Sequence, residues 1–167
     1  MNELAITVIG PDRTGIIADV SAALAGVGAN LSDSTMTRLR GHFAMTLICT
    51  GPTAGDVEKA LAPLGDLIST VRVVEPEADA AVAGEPYLVS VHGADRLGIV
   101  AAVTRVVAAA GGNITDLSTR LAGTLYVLIA EIDLPAGASE ELAERLAVAG
   151  AELGVEVTLR RAESEIL

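Results

Sequence analysis

The sequence predicts an α+β protein made of two copies of one βαββαβ unit. Two observations carry this prediction. The motif Gly-x-Asp-Arg-x-Gly-Ile occurs at residues 10–16 and again at residues 93–99. After each copy of the motif the same succession of apolar patterns follows, in the order helix, two strands, helix and strand.

The repeat extends well beyond the motif. A shift of 83 positions places residues 8–33 on residues 91–116, and after one deletion an offset of 82 aligns Gly41 with Gly123. We therefore expect a first domain over 1–75 and a second over 86–167. The acidic, alanine-rich segment 76–85 between them lacks apolar periodicity and is typical of a flexible linker.

Each unit begins with a strand and a helix. The runs "LAITVI" (4–9) and "YLVSVH" (87–92) are short and rich in β-branched residues, which favours strands. Apolar residues then recur at helical spacing from Ile16 and from Ile99. Gly28 and Gly111 stand where a glycine commonly ends a helix.

The second half of each unit completes a sheet. Two strands meet at a turn around Arg40-Gly41 or Gly123, a helix follows over about 55–64 or 139–153, and a strand follows over 67–75 or 155–163. This order is the ferredoxin-like arrangement, in which an antiparallel sheet carries two helices on one face.

The composition of the chain disfavours several classes of function. The 167 residues carry a formal net charge of -11 and few aromatic side chains, which disfavours direct binding to nucleic acid or to anionic membranes. No apolar run is long enough to span a bilayer and no signal peptide is visible, so we expect a cytoplasmic protein. The single cysteine, Cys49, forms no internal disulfide, and no metal site or cofactor is expected.

The motif, the segments "GVGANLSD" and "AAGGNITD" that follow it, and the strand order together resemble the ACT domain family. Two such units without a catalytic domain are similar to the glycine cleavage system transcriptional repressor family. The resemblance implies a regulatory protein that binds a small molecule, often an amino acid, between units. It also implies a protein partner and a homodimer.

The junction between the first strand and the first helix suits an anion. The first N–H groups of a helix have no partners within it, and the helix dipole stabilises a nearby negative charge by roughly 0.3–1 kcal/mol. Gly15 and Gly98 would let a ligand approach the backbone. The segments "GPDRTGII" and "GADRLGIV" lack the Lys and Ser/Thr of a phosphate-binding P-loop, so a nucleotide site is rejected.

Two interpretations stay open for the polar residues of the motif. Asp12 caps the helix, binds the ammonium group of a ligand, or does both, and Arg13 either pairs with a nearby carboxylate or contacts a ligand or partner. Asn30 and Asn113 either tolerate an unusual turn conformation or bind the ligand, as the resemblance implies.

We therefore predict a ligand site in each unit, with glycine or serine as the first ligands to test. If only one loop binds, Thr14 favours the first, because its hydroxyl adds a hydrogen-bonding group. The predicted ligand-binding residues are Gly10, Asp12, Arg13, Thr14, Gly15, Ile16, Asn30 and Leu31, and in the second unit Gly93, Asp95, Arg96, Leu97, Gly98, Ile99, Asn113 and Ile114.

No catalytic residues are predicted, because no nucleophile, base or metal-ligating set recurs at a logical spacing. The sequence argues against an enzyme. Two alternatives to a ligand-binding regulator remain, a ligand-independent interaction module and a detached regulatory subunit of an amino-acid metabolic enzyme.

Overall fold

The computed structural model describes residues 2–78 and 84–163. The chain divides into two compact units, Met1–Asp79 and Ala80–Leu167. Part of the predicted linker, residues 79–83, lies outside the described residues. The last residue of the predicted linker, Glu85, already begins a strand.

The first unit has the predicted βαββαβ order. Every predicted element is present, with ends that differ by a few residues. The elements are β1 (Glu3–Pro11), α1 (Ile16–Gly26), β2 (Asn30–Leu39), β3 (His42–Thr50), α2 (Ala54–Leu61) and β4 (Ile68–Val74).

The second unit repeats this order. Its second helix is longer than α2, with 15 residues against 8. The elements are β5 (Glu85–Ala94), α3 (Ile99–Ala109), β6 (Asn113–Ala122), β7 (Leu125–Leu134), α4 (Ser139–Leu153) and β8 (Val155–Arg161).

Each unit contains one four-stranded antiparallel sheet, in the order β2-β3-β1-β4 or β6-β7-β5-β8. Side chains alternate along the central strands, so that Leu4, Ile6 and Val8 of β1 are buried on one face. The apolar stripe of α1 packs against the same core. The fold class predicted from the sequence is thus confirmed.

The two glycines predicted to end α1 and α3 do so. Gly28 and Gly111 have φ values of 79° and 77°, a left-handed conformation that side-chain-bearing residues adopt at a cost. Each lies two residues after the helix, as in a common C-terminal cap.

The expected one-residue deletion between the repeats does not occur at the hairpin. Leu39 pairs with His42, and Ala122 pairs with Leu125, so the offset of 83 continues through both turns. Gly123 (φ 62°) therefore matches Arg40 (φ 48°) and not Gly41. Glycine identity was a misleading guide here, because the first turn residue has a positive φ in both hairpins but is an arginine in one and a glycine in the other.

The edge strand β2 of the first unit is exposed along its whole length, from Asn30 to Leu39. Met36 on this strand is 43% exposed, whereas Met45 on the neighbouring strand is buried. Cys49 is buried in the core, as expected of a small apolar side chain. No helix among residues 2–78 and 84–163 is long and apolar enough to cross a membrane.

Candidate functional site

The predicted site begins where β1 and β5 end. We call residues 12–15 the first loop and residues 95–98 the second loop. Helices α1 and α3 start directly after them, and their N-cap residues are Gly15 and Gly98, with φ values of 84° and 89°. No atom lies within 4 Å of where a Cβ would stand on either glycine, so both backbones are open to approach.

The capping interpretation of Asp12 is wrong. Neither α1 nor α3 has a side-chain cap, because the left-handed glycine occupies the N-cap position and Asp12 lies three residues earlier. The backbone N–H of Asp12 instead donates to the carbonyl of Gly41 at 2.9 Å, which ties the first loop to the hairpin.

Gly10, which follows the strand predicted over 4–9, lies inside β1 and does not form a turn. Its missing side chain is needed for packing, since a Cβ there would lie 2.7 Å from the carbonyl oxygen of Asp66. Gly93 has the same role in the second unit, where a Cβ would lie 3.1 Å from the Cα of Val155. Because these glycines have no side chain, the chain at or just before the start of the last strand packs closely against the end of the first strand in each unit.

Arg13 pairs with two carboxylates of its own unit. Its Nε donates to Oδ2 of Asp66 at 3.0 Å, and its Nη1 lies 2.8 Å from Oδ2 of Asp19. These contacts agree with the structural interpretation of Arg13. They join the first loop to α1 and to the segment before β4, although all three side chains are substantially exposed, so the pairs add little stability.

The ion pairs of Arg13 shift the titration of the groups involved. The hydrogen bond from Arg13 lowers the pKa of the Asp66 carboxyl below its ordinary value. Hydrogen bonds to Asp66 and then to Asp19 raise the pKa of Arg13. Arg13 and Asp66 therefore both carry their charges at neutral pH.

Asp66→Asn should reduce the acid sensitivity of the first unit. A carboxyl with a lowered folded-state pKa contributes stability above its unfolded pKa of about 3.9, and this stability disappears as the pH falls through the folded-state pKa. Thermal melts followed by circular dichroism between acidic and neutral pH should show a shallower decline for the variant. Asp33→Asn is the control, because Asp33 has no ion pair with a described residue. An unchanged decline in Asp66→Asn would contradict the pairing.

Asp12 also has a partner. Its Oδ2 lies 3.1 Å from Nε of Arg38 on β2. The first loop and the residues around it thus form three ion pairs, Arg13–Asp66, Arg13–Asp19 and Asp12–Arg38.

The second loop has none of these pairs. Among residues 2–78 and 84–163, neither Asp95 nor Arg96 lies within salt-bridge distance of an opposite charge. The sequence explains why. Ala102 stands at the position of Asp19, and Leu121 stands at that of Arg38.

The counterpart of Asp66 is Gly154. Leu67 lies beside Gly10 as Val155 lies beside Gly93, so the residues before them correspond. A Cβ on Gly154 would be 3.4 Å from the guanidinium of Arg96. Arg96 therefore lies beside Gly154 as Arg13 lies beside Asp66, but Gly154 offers no carboxylate.

The second loop borders a surface cavity of about 600 Å³, lined by residues 95–101 and Tyr126. Tyr126 matches Phe43 of the first unit, since they pair with Gly93 and Gly10. Phe43 is fully buried, whereas Tyr126 is partly exposed. We call this cavity the second-loop cavity.

A second cavity of about 620 Å³ lies between α3 and the start of β6. The two predicted residues Asn113 and Ile114 line it, and Ala101 borders both cavities. The structure thus does not bring Asn113 into the second-loop cavity with Asp95. The full lining consists of Ala101, Thr104, Arg105, Ala108, Gly112, Asn113 and Ile114.

Asn30 and Asn113 are the first residues of β2 and β6. Neither has a positive φ, so the interpretation as unusual turn residues is wrong. Asn30 is exposed and Leu31 is 37% exposed. Thr14 and Leu97 are exposed, and Ile16 and Ile99 are buried in the cores, where Ile99 also borders the second-loop cavity.

Sequence reasoning missed the residues that distinguish the two loops. Asp66 is separated from Arg13 by 53 positions, and no local pattern indicates such a contact. Asp19 and Ala102 were visible as a mismatch within the aligned repeat, and this was the one available signal. The structure shows no group of three metal-ligating side chains in the part of the chain that it describes.

Comparison with known proteins agrees with the geometry. Residues 2–69 and 85–160 match the ACT domain family. A UPF0237 protein of Methanopyrus kandleri is 37% identical over 81 residues, which are 46% of this chain and 90% of that protein. A UPF0237 protein of Streptococcus mutans is 43% identical over 51 residues, 30% of this chain and only 58% of that protein.

Crystal structures of similar proteins cover both units. An unknown protein from Galdieria sulphuraria has a TM-score of 0.83 and 29% identity, with 97% of this chain and 99% of that chain covered. A protein described as a candidate glycine cleavage system transcriptional repressor has a TM-score of 0.72 and 23% identity, with 98% of each chain covered. At that identity the second likeness shows the fold alone.

Proposed function

Because the chain belongs to the ACT domain family, we propose that it is a regulatory protein that binds an amino acid and acts through contacts with a protein partner. The regulated process would be amino-acid metabolism or its transcription. The protein would work in the cytoplasm as a homodimer and would catalyse no reaction.

One observation carries the ligand-binding part of this proposal. The second loop presents a carboxylate, Asp95, and a guanidinium, Arg96, at a cavity whose backbone is open at Gly98. A free amino acid carries one negative and one positive group, so these two side chains offer a complement to each. The lining contains no nucleophile–base pair, which agrees with binding rather than catalysis.

The exposed edge strands support the protein-contact part. Met36 and Leu39 on β2 are 43% and 49% exposed, and Leu117 and Leu121 on β6 are 37% and 41% exposed. Apolar side chains beside unpaired strand edges are a common means of association. The same surfaces favour, as a second possible function, an interaction module that needs no ligand.

Thermal denaturation of the full chain with each of the twenty standard amino acids tests the proposal, with glycine and serine first. A ligand at one hundred times its Kd stabilises the folded state by about 2.7 kcal/mol, which raises the Tm measurably. Isothermal titration would then give the Kd of each amino acid that raises the Tm. If none of the twenty raises the Tm or releases heat, the ligand-binding proposal is overturned and the interaction module is favoured.

A further inference from the structure

We propose that the second loop alone binds the ligand, and that the first loop is closed to it by its own ion pairs. The inference rests on the proposed function. It assigns Arg96 to the carboxylate and Asp95 to the ammonium group of an α-amino acid. It also reverses the preference for the first loop that Thr14 suggested.

The guanidinium of Arg13 is already committed. Nε and Nη1 both contact carboxylates of the same unit, Asp66 and Asp19. A ligand carboxylate would have to displace one of them or share the remaining N–H groups at close range with two negative charges. Binding at the first loop would therefore exchange existing ion pairs for a new one, with no net gain of charge-assisted hydrogen bonds.

The balance of charge points the same way. Around the first loop three carboxylates (Asp12, Asp19 and Asp66) face two guanidinium groups (Arg13 and Arg38). At the corresponding five positions of the second unit there is one carboxylate, Asp95, and one guanidinium, Arg96. An anionic group is therefore repelled by a surplus negative charge at the first loop and meets no such surplus at the second.

Three residue differences between the units remove the ion-pair partners of the second loop. Ala102, Leu121 and Gly154 stand where Asp19, Arg38 and Asp66 stand in the first unit. Each removes one partner, so that no ion pair of the first loop is repeated among the described residues of the second. Both charges of the second loop are thus available to a ligand.

The lining of the second-loop cavity bears on the side chain that the ligand carries. Its remaining lining is mostly apolar, with Leu97, Ile99 and Val100 beside the partly exposed Tyr126. At the matching position of the first unit, Phe43 is fully buried and contributes to the core. An apolar side chain on the zwitterionic centre suits such a lining.

Matched glutamine variants test the assignment. Isothermal titration of the full chain with glycine, L-serine, L-alanine and L-valine should give a Kd for wild type that Arg96→Gln weakens about tenfold or more, since a hydrogen bond to a charged group contributes about 1.5–3 kcal/mol. Arg13→Gln should leave the Kd within about twofold. Arg145→Gln on α4 is a surface control for the loss of one positive charge. Circular dichroism confirms that each variant is folded.

Transplanting the first unit's pairing gives an independent test. Ala102→Asp places a carboxylate where Asp19 stands and should weaken binding at Arg96 without removing any residue of the second loop. Amides of the same amino acids, which lack the carboxylate, and their N-acetyl forms, which lack the ammonium group, should bind more weakly than the free amino acids in wild type.

The possible results separate the two proposals. Binding that Arg13→Gln removes and Arg96→Gln retains would overturn the present inference and leave the proposed function intact. Equal losses in both variants would overturn the restriction to one loop. Absence of binding by every amino acid in wild type would overturn the proposed function itself, and this inference with it.

Discussion

Phe43→Ala should lower the free energy of unfolding of the first unit by about 3–5 kcal/mol, the usual cost of deleting a buried aromatic side chain. Phe43 is fully buried and belongs to the cluster formed by β1, β3, α1 and α2. It is also the one phenylalanine of the chain, in a core otherwise made of smaller side chains. Its removal leaves a cavity that these neighbours fill only in part.

Hydrogen exchange followed by mass spectrometry can measure this loss unit by unit. Peptides from residues 2–78 should exchange faster in the variant, while peptides from residues 84–163 report on the second core. His42→Ala is the matched control, because His42 is the preceding residue of the same strand and its side chain is exposed. Little change in the exchange of the first unit would contradict the assignment of Phe43 to the core.

Gly10→Ala should destabilise the first unit by about 1–3 kcal/mol, a common cost of overpacking. The added methyl group would lie 2.7 Å from the carbonyl oxygen of Asp66 and 2.8 Å from Cδ2 of Leu67. The leucine side chain can move, but the carbonyl belongs to the backbone and its displacement shifts Asp66. We therefore expect the substitution to disturb the pair between Asp66 and Arg13 as well.

Gly26→Ala is the control for this prediction. Gly26 is the last residue of α1 and has open space where a Cβ would stand. Alanine there should be neutral or should stabilise the unit by up to about 1 kcal/mol, because it reduces the entropy of the unfolded chain. The contrast is measured by chemical denaturation of both variants. Equal stabilities would show that Gly10 is not required for close packing.

The fold could be predicted from the sequence because its signals are local and occur twice. Strand alternation before Gly10 recurs before Gly93, and the helical spacing from Ile16 recurs from Ile99. Glycines at turns and helix ends then indicate where one element stops and the next begins. The family match over residues 2–69 and 85–160 confirms the resemblance on which the regulatory interpretation rests.

The details of the loops could not be predicted in the same way. Asp12 is of a residue type that often caps helices. In this structure Gly15, in a left-handed conformation, is the N-cap residue, and the carboxylate of Asp12 pairs with Arg38. One of the two partners of Arg13, Asp66, comes from a distant part of the chain. Such pairs depend on tertiary packing, and the identical Asp-Arg sequence of the two motifs therefore concealed different surroundings.

The most direct test of one open and one closed loop uses the wild-type protein. In an NMR titration with the amino acid that binds most tightly, the amide resonances of Gly15 and Gly98 are matched reporters, because each is the N-cap residue of its helix. We predict that Gly98 and its neighbours around Arg96 shift with ligand concentration while Gly15 stays in place. Equal shifts at both glycines, or a shift at Gly15 alone, would contradict the account.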